Sequence, residues 1–265
     1  MKLKISHTTT YNYDAPVDYS LQQVRLTPLT DHTQTVLAWS THISGGAEEL
    51  VFQDQFQNHT QLVQAENGAN ALQITVAGEV ETHDTNGIYG PKYGTAPLWY
   101  FARPTQRTTA GKGIAALAQS LKHTGGNVDA LHRLSQDILA AVPYIHAATT
   151  VETTAEDALQ AGGGVCQDHA QIFIAALRHA GIPARYISGY LLLDDRIDQD
   201  ATHAWAEAHI DGLGWVAFDV SNGISADARY VRLAVGCDSR DAAPISGLRM
   251  GNAAEQMSVT LQVQQ

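Results

Sequence analysis

One cysteine of this chain lies where a reactive thiol would be expected. Cys166 follows three glycines and opens a segment whose apolar residues recur on one helix face: Ala170, Phe173, Ile174 and Leu177. The cysteine therefore falls in the first turn of the predicted helix, where unpaired backbone N–H groups and the helix dipole favour a thiolate. The glycines would let the chain turn tightly and leave room for a substrate backbone. On this segment alone, a small buried thiol is an equal alternative.

Two predicted strands downstream of this helix offer the partners that a thiol nucleophile needs. Residues 202–210 alternate strictly, which predicts a strand with four larger side chains on one face: His203, Trp205, Glu207 and His209. After turn residues 211–214, the return strand at 215–220 carries Asp219. A histidine base and an aspartate that orients it would complete a Cys-His-Asp arrangement for nucleophilic catalysis.

The predicted hairpin poses a geometric problem for this arrangement. A symmetric turn about Gly212 and Leu213 would set Asp219 opposite Ala206, on the face away from His203. We therefore predict a β-bulge or an asymmetric turn between His203 and Asp219, since either would re-aim the carboxylate. A regular hairpin with Asp219 facing away from His203 would contradict the triad.

The elements that must position these residues differ between the two halves of the chain. Residues 1–103 contain six short segments rich in Val, Ile, Thr and Tyr, separated by turn residues, as in an antiparallel sandwich or curved sheet. Three segments with helical spacing precede the Cys166 helix: 110–126, 127–142 and 154–164. The sequence predicts an α+β protein, with an N-terminal antiparallel β-sandwich-like domain at 1–105 and a catalytic α+β domain at 106–265.

Composition limits the classes of function. The chain has 265 residues, of which 44% are hydrophobic, and 27 acidic residues against 16 Lys and Arg give a formal net charge of −11. Because no basic cluster is present, we expect no nucleic-acid partner. Cys166 and Cys237 are too few for a disulfide framework. No apolar run fits a signal peptide or a membrane helix, so the sequence predicts a cytoplasmic protein without membrane contact.

The contexts of the three residues resemble the transglutaminase-like superfamily. The segments GGGVCQDHAQIFIAALRHAGIPARYISGY and THAWAEAHIDGLGWVAFDVSNG resemble its core, and ISHTTTYNYDAPVDYSLQQVRLTP resembles the extra N-terminal β domain of the bacterial proteins. The resemblance covers essentially the whole chain and implies a transglutaminase/papain-like core with Cys166, His203 and Asp219 as catalytic residues. A papain-like protein fits worse, because its His and Asn lie roughly 130–150 residues beyond the Cys, and fewer than 100 residues follow Cys166.

The substrate pocket is less well determined than the triad. Val220 stands where the family commonly has proline, and Ser239 where it usually has tyrosine, so the pocket need not be typical. Cys237, in the same segment as Ser239, is interpreted as a cysteine in place of an apolar residue and not as a second nucleophile. The backbone N–H of Cys166 is expected to hold the oxyanion. Four residues are predicted to line the pocket: Gln167, which is also the candidate for the second oxyanion donor, Asp168, Trp205 and Tyr190. Packing is the alternative for Trp205 and Tyr190, and helix capping is the alternative for Asp168.

The resemblance implies an enzyme that acts on amide bonds of peptides or proteins through a thioester. Hydrolysis is expected, because the bacterial relatives are regarded as thiol proteases; transfer to an amine and a non-catalytic peptide-binding protein are alternatives. A zinc site of Cys166, His169 and either His203 or His209 is a further alternative, but it leaves Asp219 without a role. No cofactor is implied. Relatives of this subtype are associated with ATP-grasp and helical proteins, which implies partners of those kinds.

Overall fold

The N-terminal part of the chain is built from β-strands, as the sequence predicts. The structure, a computed structural model, describes residues 1–91, 96–121 and 126–265. Alternation of apolar and polar side chains buries one face of the first strand, including Leu3 and Ile5. The six predicted segments correspond to β1 (Lys2–Tyr13), β2 (Tyr19–Val24), β3 (Gln34–Ser44), β4 (Gly46–Gln53), β5 (His59–Ala65) and β6 (Ala71–Thr82).

The helices lie in the middle of the chain. They are α1 (Leu98–Phe101), α2 (Lys112–Leu117, which continues as a 3-10 helix over Ala118–Leu121), α3 (Val128–Ala141), α4 (Ala155–Ala161) and α5 (Cys166–His179). Residues 122–125, at the end of the first predicted helical segment, lie outside the described residues. No helix in the described part of the chain is long and apolar enough to cross a membrane.

One of the remaining described strands, β7, precedes the helices, and the other seven follow them. They are β7 (Ile88–Gly90), β8 (Ala184–Leu191), β9 (Asp198–Gln199), β10 (His203–Ile210), β11 (Gly214–Phe218), β12 (Tyr230–Gly236), β13 (Ile245–Met250) and β14 (Glu255–Gln264). The described residues form three sheets, with strand orders β3-β6-β1-β14-β9, β13-β2-β5-β4 and β12-β8-β10-β11-β7. The first two sheets make the N-terminal sandwich. We call the third the catalytic sheet, because its strand β10 carries the predicted catalytic residue His203.

The sheet order corrects the predicted division at residues 105 and 106. β7 pairs with β11 in the catalytic sheet, although it precedes the predicted boundary. β14 pairs with β1, and β13 pairs with β2, so the end of the chain returns to complete both sheets of the N-terminal sandwich. The α+β class with an N-terminal antiparallel sandwich is confirmed, but the two parts are joined by strands that cross between them.

Helix α5 is fixed on the catalytic sheet by apolar packing. Phe173, Ile174 and Leu177 are fully buried in one core cluster with the small side chains of β10. The rings of Phe173 and Phe218 lie 5.2 Å apart between their centroids. Each such side chain contributes roughly 1.5–3 kcal/mol on burial. This packing sets the N-terminus of α5, and with it Cys166, at a defined place relative to β10.

Candidate active site

Cys166 is the first residue of α5, as its position in the sequence predicts. The helix begins after Val165, whose backbone N–H donates to the Asp168 carboxylate at 2.8 Å. The Thr149 hydroxyl donates to the same Asp168 oxygen at 2.6 Å. Asp168 is fully buried and therefore caps the helix. Its prediction as a pocket residue is wrong, because Asp168 is not among the residues that line the cleft at Cys166.

The glycines before Cys166 have structural roles. Gly162 has φ +69° and ends α4 in the left-handed conformation. A Cβ at Gly164 would lie 2.9 Å from the Asp168 Cβ, so only glycine leaves space for the helix cap. Gly162 and Gly164 thus end one helix and admit the cap of the next, and the expectation that the glycines leave room for a substrate backbone stays a prediction.

The β10–β11 hairpin has the asymmetric turn that the triad requires. Ile210 pairs with Gly214 across the three-residue turn 211–213, and the register continues without a shift to Ala206 and Phe218. Gly212 and Gly214 have φ values of +82° and +80°, which other residues adopt only with strain. The prediction of an asymmetric turn is confirmed.

This register brings His203 and Asp219 to the same face of the catalytic sheet. Asp219 directly follows β11, and in this register its position is opposite Trp205. His203, two residues before Trp205, is therefore the diagonal neighbour of Asp219 on the same face, and side chains at such positions are within reach of each other. The His203 Nε2 atom lies 2.6 Å from the Asp219 Oδ2 atom. The two strands therefore place the predicted base and its predicted orienting carboxylate in direct contact.

Two further residues hold the Asp219 carboxylate. The Tyr230 hydroxyl donates to Oδ2 at 2.7 Å, and the Asn222 side-chain amide donates to it at 2.6 Å. Burial alone would raise the pKa of Asp219, but hydrogen bonds from His203, Asn222 and Tyr230 hold it below its ordinary value. Sequence reasoning missed both residues. Asn222, three residues after Asp219 in a turn, carries a local signal, whereas Tyr230 on β12 carries none.

His203 stands between the carboxylate and the thiol. Burial lowers its pKa, but hydrogen bonds with Asp219 and with the Cys166 thiol outweigh burial and raise the pKa of His203 to about 10. The imidazole is therefore protonated at neutral pH. A positive charge beside the sulfur and a negative charge behind the ring is the arrangement that activates a thiol nucleophile.

His169 is occupied by other contacts. Its ring nitrogens lie 2.8 Å from the Ser221 hydroxyl and 2.7 Å from the Val142 carbonyl oxygen. Burial lowers the pKa of His169, so the neutral ring donates to Val142 and accepts from Ser221, which ties α5 to the loop after Asp219. His209 packs on Trp215 near the other end of β10. Within the described ranges, no group of three His, Cys, Asp or Glu residues could hold a metal ion.

A cleft of about 1170 Å³ opens at Cys166. Gln167 and His203 line it next to the thiol, which agrees with the prediction for Gln167, whose amide also donates to the Thr150 carbonyl at 3.4 Å. Ser239, which stands in place of the usual tyrosine, borders the cleft and donates to the Gln171 side chain at 3.0 Å. A small side chain at this position leaves space that a tyrosine ring would fill.

Two residues predicted to line the pocket lie outside this cleft. Trp205 is buried on the far side of His203, with its ring centroid 6.3 Å from the imidazole and 5.3 Å from the Tyr230 ring. Tyr190 is buried where the catalytic sheet meets the sandwich, and its hydroxyl lies 3.0 Å from the His7 Nδ1 atom. Both predictions are wrong, because Trp205 packs in the core cluster around Trp215 and Tyr190 packs in the separate core cluster of the sandwich.

The second cysteine lies in a different environment from Cys166. Cys237 is buried, and desolvation raises the pKa of its thiol to about 12. Such a thiol is protonated and unreactive at neutral pH. The geometry agrees with the interpretation of Cys237 as a substituted apolar position.

Comparisons with known proteins match this architecture. A model of the transglutaminase-like superfamily matches residues 115–220, and a model of the bacterial transglutaminase-like N-terminal region matches residues 3–81. The uncharacterized protein ML0607 of Mycobacterium leprae is 26% identical, over 99% of this chain and 98% of its own length. The uncharacterized protein Rv2569c of Mycobacterium tuberculosis is 29% identical, over 95% of this chain and 88% of its own length.

A solved structure has the same fold across both parts of the chain. The crystal structure of a candidate cysteine protease from Cytophaga hutchinsonii superposes with a TM-score of 0.77 at 24% identity, and covers 99% of this chain and 90% of its own. The two family matches together span more than half of the chain, and the core match contains Cys166, His203 and Asp219. The chain belongs to the transglutaminase-like superfamily and carries the bacterial transglutaminase-like N-terminal region.

Proposed function

We propose that this protein is a cysteine peptidase or amidase in which Cys166, His203 and Asp219 form the catalytic triad. The observation that carries the proposal is one continuous line of contacts. The Cys166 thiol lies beside His203 and helps to raise the pKa of its imidazole, and the His203 Nε2 atom lies 2.6 Å from Asp219, at the edge of a cleft that holds the thiol. Thiol, base and orienting carboxylate in that order can cleave an amide bond.

The reaction would proceed through a thioester on Cys166. The thiolate attacks the amide carbonyl carbon, and the carbon–nitrogen bond breaks as the His203 imidazolium gives its proton to the leaving amine. Neutral His203 then takes a proton from a water molecule that attacks the thioester, which releases the acid and restores the thiolate and imidazolium. Asp219 fixes the ring orientation throughout. The Cys166 backbone N–H, at the first helical position, has no partner within the helix and can hold the oxyanion.

The cleft supports a peptide or protein substrate and water as the acceptor. At about 1170 Å³ it exceeds the roughly 300–1,000 Å³ of small-molecule sites and has room for several residues of an extended peptide. An amine acceptor competes with water only where the thioester is shielded. Trp205, the aromatic residue predicted to wall the pocket, lies on the far side of His203 and does not line the cleft, so it offers no such shield.

An incubation with a glutamine-containing peptide and a fluorescent primary amine tests the proposal. We expect peptide cleavage or ammonia release without incorporation of the amine, and loss of this activity by a factor of roughly 10⁴ or more in Cys166→Ala. Cys237→Ala is the matched control and should keep the activity. Incorporation of the amine would overturn hydrolysis in favour of transfer. No turnover together with an unreactive Cys166 would overturn the enzyme proposal in favour of peptide binding alone.

A further inference from the structure

The N-terminal sandwich is open on the side that faces the cleft. β14 pairs with β9 only through Leu261 and Gln262, so residues 255–260 have no strand neighbour on that edge in the described part of the chain. β13 is the end strand of the other sheet, and its outer edge is likewise unpaired among the described strands. Two strand edges with free backbone N–H and C=O groups therefore border one opening.

The cleft that begins at Cys166 reaches this opening. Its lining includes residues of both edge strands, from Ile245 to Gly247 on β13 and Met257 and Val259 on β14. Thr9 and Tyr11 of β1 line it as well. In the β1–β14 register, Thr9 lies directly opposite Val259 and Tyr11 directly opposite Met257, so these four side chains form one patch on one sheet face. We call it the Tyr11–Met257 patch.

The Tyr11–Met257 patch is covered at its β1 residues, Thr9 and Tyr11, but not at Met257 on β14. Met257 is 58% exposed, whereas Leu261, four residues later on the same face, is 0% exposed. An exposed methionine at the end of the inner face of a sandwich, next to two open strand edges and inside the cleft, is a contact point for a bound molecule.

The patch also contains a hydroxyl group that has no hydrogen-bond partner among the described residues. Tyr11 is 5% exposed, and its hydroxyl makes no hydrogen bond to any residue that the structure describes. The oxygen is not sealed in the core, since it is absent from the fully buried polar atoms without partners. Because Tyr11 lines the cleft, its O–H is available there to a carbonyl oxygen of a bound molecule.

We propose that the part of the substrate remote from the scissile amide is an extended peptide segment bound along the open β13 and β14 edges, with an apolar side chain on the Tyr11–Met257 patch. This inference rests on the proposed function and extends it to the substrate. Backbone groups of an extended peptide pair with unpaired strand edges, and pockets for alternate side chains provide the selectivity. The N-terminal sandwich is then a substrate-binding part of the enzyme.

Peptidyl acyloxymethyl ketones of different lengths test this inference. Such a probe alkylates a catalytic thiol: a carbon–sulfur bond forms and the carboxylate leaves. A four-residue probe with leucine at the remote end should label Cys166 about tenfold or more faster than a one-residue probe or one with aspartate at the remote end. Met257→Glu should abolish this advantage, and Tyr11→Phe should reduce it several-fold. Leu50→Glu is the matched control, because Leu50 is 52% exposed on β4, at the opposite edge of the sheet from β13, and lies outside the cleft.

Three outcomes would overturn the inference. The first is an equal labelling rate for long and short probes, the second is an equal loss in Met257→Glu and Leu50→Glu, and the third is full activity of a probe whose backbone nitrogens are methylated. Labelling by iodoacetamide, which has no peptide, separates this inference from the proposed function. Faster labelling of Cys166 than of Cys237 shows that a variant keeps the folded site, because an unfolded chain would expose both thiols. Rapid iodoacetamide labelling of Cys166 with no effect of probe length contradicts only the inference. A Cys166 that iodoacetamide labels no faster than Cys237 contradicts the proposed function as well.

Discussion

At the scale of single residues, the site depends on His203 and Asp219, whose pKa values are shifted in opposite directions. The pKa of His203 is raised to about 10, so its favourable contribution to folding is complete below its ordinary value of 6.5 and is lost as pH rises towards 10. The pKa of Asp219 is lowered, so its contribution is present above the ordinary carboxyl range and is lost as pH falls through the lowered value. The pair therefore stabilises the fold most between these limits, where it is also charged for catalysis.

Asp219→Asn tests the link between these two groups. The substitution keeps the shape of the side chain but removes the charge that raises the pKa of His203. The pKa of His203 should therefore fall from about 10, which a histidine titration by NMR measures. Activity should fall roughly 10³–10⁴-fold, since the ring loses its orienting partner. His7, whose pKa burial lowers to about 4, is the internal control. An unchanged titration of His203 would contradict the assignment of Asp219 as its partner.

At the scale of elements, the β10–β11 turn decides whether the site exists. Pairing Ile210 with Gly214 keeps Asp219 on the His203 face, and a one-residue change of register would move it to the other face. Gly214 also lies against the backbone of β7, where a Cβ would overlap Gly90. One glycine thus allows both the turn and the close approach of the neighbouring strand.

Gly214→Ala compared with Gly212→Ala separates these two effects. Both positions have positive φ, and alanine costs about 1–2 kcal/mol in that conformation. A Cβ at Gly212 meets nothing within 4 Å, whereas one at Gly214 meets the backbone of Gly90 and Pro91. We expect Gly214→Ala to lower the free energy of unfolding by a further 1–3 kcal/mol, as overpacking does. Denaturant titrations measure this difference, and equal midpoints for the two variants would contradict it.

Local patterns identified the elements of the site because their causes are local. The apolar spacing of α5 and the strict alternation of β10 are properties of short segments, and they place Cys166 and His203 correctly. Even the asymmetric turn can be predicted from the sequence, because only such a turn or a bulge lets the His203 and Asp219 side chains come into contact. Alternation gives only the face of a side chain, however, and not what covers that face. For this reason the pattern of β10 predicts Trp205 to line the pocket, although the side chain packs in the core.

At the scale of the whole molecule, the contacts that no local pattern predicts are those between distant segments. β13 and β14 pair with β2 and β1, more than two hundred residues earlier, and neither pairing leaves a signal within its own strand. Tyr230 reaches Asp219 from β12 for the same reason. The His7–Tyr190 hydrogen bond joins the sandwich to the catalytic sheet. These contacts make the sandwich one wall of the cleft. The predicted division into two sequential domains is therefore wrong, because the last strands of the chain belong to the sandwich.

The whole molecule offers two thiols that differ in environment, and their relative reactivity tests the central claim most directly. Cys166 contacts a protonated His203 at a helix N-terminus, whereas burial raises the pKa of Cys237 to about 12. The measurement is the rate of alkylation of each thiol by iodoacetamide at pH 7, followed by peptide mass mapping. We predict that Cys166 reacts at least roughly 100-fold faster than Cys237 and that His203→Ala removes most of this difference. Equal rates, or an unchanged Cys166 rate in His203→Ala, would contradict the account.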